Sequence, residues 1–189
     1  MKNLQLRFQK IQLRFRENNK DGDRKIYPRY FVLGGRPMAE EKHGRRIIKE
    51  IFHLLILFII GAFVYMGIEI AFRGYTHWTM GILGGLCFVI IGGLNNYYDW
   101  QMPFWKQCLV GALVVTSLEF VAGVVLNLEL GLSIWDYSNM FGNVLGQICL
   151  PFSIAWCGLS GVAIIFDDFL RWWLFGEPFP HYVWFKGKN

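Results

Sequence analysis

Four apolar runs constrain the fold of this 189-residue chain more than any other feature of its sequence. They cover residues 51–72, 78–94, 108–128 and 144–166, and the second run contains no charged residue. A helix rises about 1.5 Å per residue, so roughly 20 apolar residues cross the hydrocarbon layer of a bilayer. Because 54% of the residues are hydrophobic and the mean hydropathy is +0.32, the sequence predicts an all-α polytopic membrane protein with four transmembrane helices.

The basic excess of the chain is concentrated in its first 37 residues. They hold ten Lys and Arg against three acidic residues, a net charge of +7, whereas the remainder holds nine basic and eleven acidic residues, a net charge of −2. The sequence pI of about 9.1 therefore describes the N-terminal segment and not the apolar body. This charge pattern therefore does not indicate a nucleic-acid partner. The partner that the apolar runs indicate is the lipid bilayer.

Charges that flank the apolar runs predict the orientation of the four helices. Basic residues precede the first run, lie between the second and third, and follow the fourth: Lys42, Arg45, Arg46, Lys49, Lys106, Arg171, Lys186 and Lys188. On the other side, the first short loop carries only Arg73, and residues 129–141 contain no basic residue. The positive-inside rule then places both termini in the cytoplasm.

The apolar runs divide the sequence into three regions. We expect residues 1–46 to be a basic, disordered extension, residues 47–175 to be a four-helix transmembrane domain, and residues 176–189 to be a cytoplasmic or interfacial tail. Gly34 and Gly35 precede Met38 at a distance where two glycine codons can spell a ribosome-binding site. We therefore hypothesise that translation starts at Met38 and that the residues before it are a mis-assigned extension.

Two carboxylates lie inside the predicted membrane helices. Transferring an ionised carboxylate into a bilayer costs roughly several kcal/mol of free energy unless it is paired or faces a polar cavity. Glu69 is followed four residues later by Arg73, so an ion pair within one helix is expected, and His77 follows after four more residues. Glu119 has no basic partner in its own helix. It is expected to meet a residue of another helix, either as a structural hydrogen bond or as a substrate or proton site.

Polar side chains also recur just before and within the start of the fourth apolar run. Asp136, Asn139, Asn143 and Gln147 are spaced by three or four residues, which is typical of one helix face. Such a face needs protein or water opposite it, because lipid does not satisfy polar groups. We expect an outward-opening polar pocket whose candidate residues are Glu69, Arg73, His77, Asn95, Glu119, Asn127, Asp136, Asn139, Asn143 and Gln147. The alternative is that Asp136 caps the helix and the amides only join helices.

The remaining motifs concern packing and the absence of known chemistry. Gly81 and Gly85 form a GxxxG pair, which lets two membrane helices approach closely. The four cysteines have no CxxC spacing and the four histidines are scattered, so neither a metal site nor a cofactor is expected. The sequence contains no GxxxxGK[ST], GxSxG or HExxH motif. An enzymatic activity is therefore less expected than transport, and ATP hydrolysis by the first of these motifs is excluded.

The sequence around these residues resembles the CmpB/TMEM229 family, whose bacterial members are labelled type IV ABC transporter permeases. The resemblance rests on Glu69-x3-Arg73 with Thr76-His77-Trp78, Gly84-Gly85, Asn95, Leu118-Glu119-Phe120 with Gly123, Trp135-Asp136-Tyr137-Ser138, Asn143-x2-Gly146-x-Ile148-Cys149-Leu150, and Asp167-Asp168-x2-Arg171-x2-Leu174-Phe175-Gly176-Glu177. It extends from about residue 47 to the C-terminus and does not include residues 1–37, as a start at Met38 would explain. Related sequences often have Pro-Phe where this chain has Phe141-Gly142, which makes the expected helix start less rigid here.

The resemblance implies a multi-pass component of an ABC-type transporter in the bacterial plasma membrane. Four helices from one chain make a poor conduit, so a homo-oligomer or a separate ATPase subunit is the expected partner. Two alternatives stay open. One is a membrane-embedded enzyme or lipid-headgroup-binding protein that uses Glu119 and Asp136. The other is an accessory subunit of a different membrane complex.

Overall fold

A computed structural model of the chain describes residues 43–97 and 102–184. These residues belong to the unit Lys42–Asn189, whereas the unit Met1–Glu41 lies outside the described part of the chain. The expected disorder of the N-terminal extension up to residue 42 and the proposed start at Met38 therefore fall on residues that are not described, as do residues 185–189 of the tail.

The described residues form four long helices and no β-strand. Helix α1 spans His43–Arg73, α2 spans Trp78–Gly92 and is followed by a helical turn at Leu94–Tyr97, α3 spans Phe104–Gly123, and α4 spans Leu150–Leu170. α3 and α4 each continue into a π-helical turn, Val124–Glu129 and Arg171–Phe175 respectively. Counted with these helical continuations, all four are long and apolar enough to cross a bilayer, as Ile47–Arg73, Trp78–Asn96, Phe104–Glu129 and Leu150–Phe175. This confirms the predicted all-α fold with four transmembrane helices.

Burial differs strongly among the four helices. α2 is the most buried, because α1 packs along one side of it while α3 and α4 contact it elsewhere. α1 is the most exposed, with large apolar side chains such as Phe63 and Phe72 directed away from the other helices. Exposed apolar side chains on a membrane-spanning helix are the surface that lipid covers. The bundle is therefore built around α2, and α1 presents the widest lipid-facing surface.

Glycines of α2 bring its backbone close to α1. A Cβ atom added at Gly81 would lie 2.7 Å from Met66 Sδ, and one added at Gly85 would lie 2.7 Å from the backbone oxygen of Phe58. Both residues of the GxxxG pair thus face α1 at distances that leave no room for a side chain. Small residues at such a contact let van der Waals packing hold helices together in lipid, where no hydrophobic driving force acts between them.

The predicted fourth helix is wrong at its start. It was expected from residue 144, but residues 130–149 are not helical and α4 begins at Leu150. Gly142, Leu145 and Gly146 have φ angles of 64°, 53° and 69°, which a right-handed helix cannot contain. Pro151 then occupies the first turn of α4, where no backbone N–H partner is lost. The expected helix face through Asp136, Asn139, Asn143 and Gln147 therefore does not exist.

The tail returns to the bundle after α4. Gly176 ends the helix in the left-handed conformation, with φ 73°. The backbone N–H of Phe104, at the start of α3, then donates to the carbonyl oxygen of Val183 at 2.8 Å. The Phe104 ring also packs against Tyr182 at a centroid distance of 5.0 Å. Residues 176–184 are thus attached to the start of α3.

Candidate functional site

Polar side chains collect at both ends of the helix bundle. α1 and α3 finish, and α4 starts, at the end that carries residues 130–149, which we call the loop end. α2 and α4 finish at the opposite end, beside residues 176–184, which we call the tail end. Most of the predicted site residues lie at the loop end, and Asn95 lies at the tail end.

An ion pair closes the last turn of α1 at the loop end. Arg73 Nη2 contacts Glu69 Oε1, and Thr76 Oγ1 donates to Glu69 Oε2 at 2.6 Å. Arg73 Nη1 also donates to the carbonyl oxygen of Ile134 at 3.3 Å. Glu69 is buried, so its charge is compensated by one guanidinium and one hydroxyl group instead of by water. The same guanidinium ties α1 to the segment that follows α3.

Glu119 joins three parts of the chain. Its Oε1 accepts from the hydroxyl of Tyr137 at 3.1 Å, and its Oε2 accepts from the indole Nε1 of Trp156 at 2.8 Å. The side chain is only 4% exposed, so it does not face lipid. In the part of the chain that the structure describes, Glu119 forms no ion pair. Both of its hydrogen-bond partners are neutral donors.

Tyr137 lies outside the membrane-spanning helices, and its pKa depends on the buried environment of this cluster. Burial raises the pKa of its hydroxyl above the ordinary value for tyrosine, and the neighbouring carboxylate of Glu119 raises that pKa further. Tyr137 therefore stays a hydrogen-bond donor at any physiological pH. Its ring stacks on Phe152 in the first turn of α4 at a centroid distance of 4.9 Å, which fixes the direction of the hydroxyl.

A second group of loop-end contacts centres on Asn127, in the π-helical turn after α3. Its Nδ2 donates to the carbonyl oxygen of Trp135 at 3.0 Å and to Gln147 Oε1 at 2.8 Å, while its Oδ1 accepts from the backbone N–H of Ile134 at 2.7 Å. Trp135 Nε1 in turn donates to the carbonyl oxygen of Gln147 at 2.9 Å. These buried amides hold residues 130–149 against α3.

The other polar residues of the loop bond within it. Asp136 Oδ1 accepts from the backbone N–H of Ser138 at 2.8 Å and from its hydroxyl at 2.5 Å, and these bonds hold the pKa of Asp136 below its usual value. Asn143 Nδ2 donates to the carbonyl oxygens of Ser138 and Met140, each at 3.0 Å. Asp136, Asn139 and Asn143 are exposed, whereas Gln147 is buried. Asp136 therefore stabilises a turn and does not cap a helix.

Two further predicted residues have local or distant roles. His77 precedes α2 as its N-cap, where Nδ1 accepts from the backbone N–H of Thr79 at 3.4 Å. Asn95 lies at the tail end, where its Nδ2 donates to Asp168 Oδ2 at 2.6 Å. Tyr182 donates to the same oxygen at 2.9 Å. The structure thus places Glu69, Arg73 and Glu119 at the loop end and leaves Asn95 at the other end of the bundle.

The tail end contains a buried charged cluster that sequence reasoning did not identify as a site. Asp167 is 0% exposed and its Oδ2 accepts from Arg171 Nε at 2.5 Å. Arg171 Nη1 is 3.7 Å from Glu177 Oε1. Asp167 Oδ1 and Arg171 Nη2 have no hydrogen-bond partner within residues 43–97 and 102–184. The available sequence signal was two adjacent acids and an arginine, Asp167-Asp168-x2-Arg171, at the end of an apolar run.

No group of three or more His, Cys, Asp and Glu side chains in the described ranges could hold a metal ion. The four cysteines are free thiols, two buried and two half-buried. The two clusters offer carboxylates, guanidinium groups, amides and aromatic hydrogen-bond donors.

Comparison with known protein families finds a match over most of the chain. Residues 56–174 match the family described as Putative ABC-transporter type IV, designated ABC_trans_CmpB. This region contains nearly all of the four membrane-spanning helices, the loop-end residues from Glu69 to Trp156, and Asp167, Asp168 and Arg171 of the tail end. No curated protein and no solved structure matches the chain.

Proposed function

The chain belongs to the Putative ABC-transporter type IV family, as its resemblance to CmpB proteins predicted. From this membership we propose that it is the membrane-spanning component of a transport assembly. In this proposal a separate chain binds and hydrolyses ATP. The proposal is supported by the four membrane-spanning helices and by the absence of a GxxxxGK[ST] motif from the sequence.

The observation that carries the proposal is the environment of Glu119. A carboxylate inside a membrane helix is costly, and such residues commonly mark the path of a solute or ion. Glu119 is buried and is bound by two neutral donors from different parts of the chain, Tyr137 and Trp156. If α3, α4 and the loop end move relative to one another, these two bonds must break. A solute that replaces either donor must itself present a hydrogen-bond donor or a positive charge to the carboxylate.

The tail end supplies the surface for the ATP-hydrolysing chain in this proposal. The basic residues that flank α1 and α4 predict that this end faces the cytoplasm, where ATP is available. Arg171 is buried between Asp167 and Glu177 there, so a movement of residues 176–184 changes the charge balance at the end of α4. This contact provides a physical route between a docked ATPase and the fourth helix.

Affinity isolation of the tagged chain from native membranes in mild detergent tests the proposal. We expect a chain with an ATP-binding motif to co-purify in a fixed ratio and the isolate to hydrolyse ATP. Glu119→Gln should leave the composition unchanged and alter the rate of hydrolysis. Ser117→Ala is the matched control, because Ser117 is exposed and bonds only to the carbonyl oxygen of Leu113 in its own helix, at 2.7 Å.

Two results would contradict this function. If the chain is isolated with membrane proteins that bind no nucleotide, an accessory role in another complex replaces transport. If Glu119→Gln and Ser117→Ala both match the wild type in ATP hydrolysis, the loop-end cluster has no part in the cycle.

A further inference from the structure

We propose that residues 130–149 form a re-entrant element that turns back into the membrane and inserts the side chains of Phe141, Val144 and Leu145 into the adjoining lipid leaflet. The partner of this surface is the acyl and headgroup region of the bilayer, whichever solute the protein transports.

The contacts with α3 show that the element descends along the bundle. The backbone N–H of Leu132 donates to the carbonyl oxygen of Leu126 at 2.9 Å. Gln147 lies so close to Gly123 that a Cβ added there would be 2.6 Å from Gln147 Oε1. Gly123 precedes the end of the third span, Glu129, by six residues, which is more than one helical turn. The chain therefore returns well below the end of the third span before α4 begins.

Part of the backbone of the element is hydrogen-bonded within the protein. The N–H of Tyr137 donates to the carbonyl oxygen of Gly146 at 2.7 Å, that of Val144 to Ile148 at 3.0 Å, and that of Leu150 to Phe141 at 3.3 Å. Side-chain amides supply further bonds to backbone groups: those of Asn127, Asn143 and Gln147. Non-helical backbone at membrane depth is tolerated only where protein or water satisfies it, and this segment has built-in partners.

Large apolar side chains face outward from this backbone. Phe141 is 77% exposed, Leu145 is 64% exposed and Val144 is 48% exposed. Leu145 also has a positive φ of 53°, a conformation that disfavours a leucine and would suit glycine. In lipid these side chains are solvated by acyl chains, whereas in water they would form an unfavourable apolar patch.

The neighbouring surface argues for lipid over a second copy of the chain. The exposed face of α4 begins beside the element and carries Leu150 and Ile154, and the end of the third span exposes Leu128. These residues belong to membrane-spanning helices, so the apolar surface of the element is continuous with a surface of the kind that lipid covers. Asp136 and Asn139, also exposed, supply a polar side to the element. An apolar side next to polar groups is the pattern of segments that lie at the membrane interface.

Site-directed spin labelling tests this inference. A nitroxide is attached to Phe141→Cys or Val144→Cys in the full chain, with half-buried Cys108 and Cys157 replaced by alanine, in phosphatidylcholine and phosphatidylglycerol vesicles. The parent protein without an added cysteine, treated with the same nitroxide reagent, gives the background labelling of the two buried cysteines. Asn139→Cys is the polar control, and Ile154→Cys is the lipid-facing reference.

The accessibility of each label to oxygen and to a water-soluble nickel chelate decides the result. We expect the labels at positions 141 and 144 to favour oxygen, as at 154, and the label at 139 to favour nickel. If 141 and 144 respond like 139, the element lies in water and the inference fails. If both reagents are excluded and the labels broaden one another until the protein is diluted in lipid, a second copy covers the surface and the inference also fails. Position 144 decides the matter if the variant at 141 does not yield a monodisperse protein.

Discussion

Replacing Asn127 by alanine should destabilise the loop end more than any exposed polar substitution nearby. The substitution removes three hydrogen bonds, to the carbonyl oxygen of Trp135, to Gln147 Oε1 and from the N–H of Ile134. Because Asn127 is buried, water does not replace its amide, and the partner groups lose their bonds outright.

The size of the effect follows from the number of bonds. A net contribution of about 1 kcal/mol per hydrogen bond in soluble proteins, or about 0.6 kcal/mol between membrane helices, gives roughly 2–3 kcal/mol for three bonds. At about 2–4 °C per kcal/mol for a chain of this size, the melting temperature should fall by roughly 4–12 °C.

A thiol-reactive fluorophore can follow this unfolding in detergent, because Cys149 at the end of the loop is 1% exposed in the fold. Ser117→Ala is the control and should melt within about 2 °C of the wild type, since its bond is exposed. Asn127→Leu keeps nearly the same volume and should be destabilised as much as the alanine variant. If the leucine variant is as stable as the wild type, the amide bonds do not hold the loop and the reasoning is refuted.

Three further perturbations test the packing and the tail end. Gly85→Ala places a Cβ 2.7 Å from a backbone oxygen of α1 and should lower the free energy of unfolding by about 1–3 kcal/mol. Gly67→Ala is the control, because a Cβ there has nothing within 4 Å and should be neutral or stabilising. Equal effects of the two substitutions would contradict the close helix contact. Arg171→Met leaves Asp167 buried and unpaired and should lower the free energy of unfolding by about 3–5 kcal/mol. Adding Asp167→Asn to this variant should restore part of that stability. A lack of rescue would show that the broken charge pair is not the cause of the loss. Burial and a neighbouring carboxylate raise the pKa of Tyr182 in the folded state. The contribution of the protonated hydroxyl to stability is therefore fully present below the pKa of the unfolded chain, about 10, and is lost as the pH rises toward the pKa of the folded state. Melting temperatures between pH 8 and 11 should fall more steeply for the wild type than for Tyr182→Phe, and parallel slopes would refute this.

The membrane fold was predictable from sequence because the bilayer allows few solutions. A long apolar run must hydrogen-bond its own backbone in lipid, so it becomes a helix whatever its detailed sequence. The spacing of Glu69 and Arg73 likewise gave a contact within one helix turn, and the structure shows that ion pair. Both successes depend on local or bulk properties of the chain.

The segment before α4 was not predictable from residue spacing. Asp136, Asn139, Asn143 and Gln147 repeat every three or four residues, but glycines at 142 and 146 adopt positive φ angles and end any helical repeat. Those glycines and Pro151 were the available signal, since Gly and Pro punctuate regular structure. The amides of Asn143 and Gln147 instead bond to nearby backbone groups, and that of Gln147 also bonds to Asn127. Periodicity does not distinguish this use from a helix face.

Hydrogen-bond partners that lie far apart in sequence could not be predicted either. Glu119 was expected to meet a group from another helix, but its donors, Tyr137 and Trp156, are set by how α4 and the loop end pack. At the tail end, Asn95 and Asp168 are 73 residues apart in sequence and still share a bond of 2.6 Å. Tertiary packing, and not local pattern, determines such pairs.

The indole N–H signal of Trp156 tests most directly whether Glu119 links the helices as described. Labelling the indole nitrogens gives one NMR signal for each of the eight tryptophans, and Trp156→Phe identifies the one at issue. Glu119→Leu should move the Trp156 signal toward that of an unbonded indole and leave the Trp135 signal, bonded to the Gln147 carbonyl oxygen, in place. A Trp156 signal that does not move would contradict the linkage on which the proposed transport site depends.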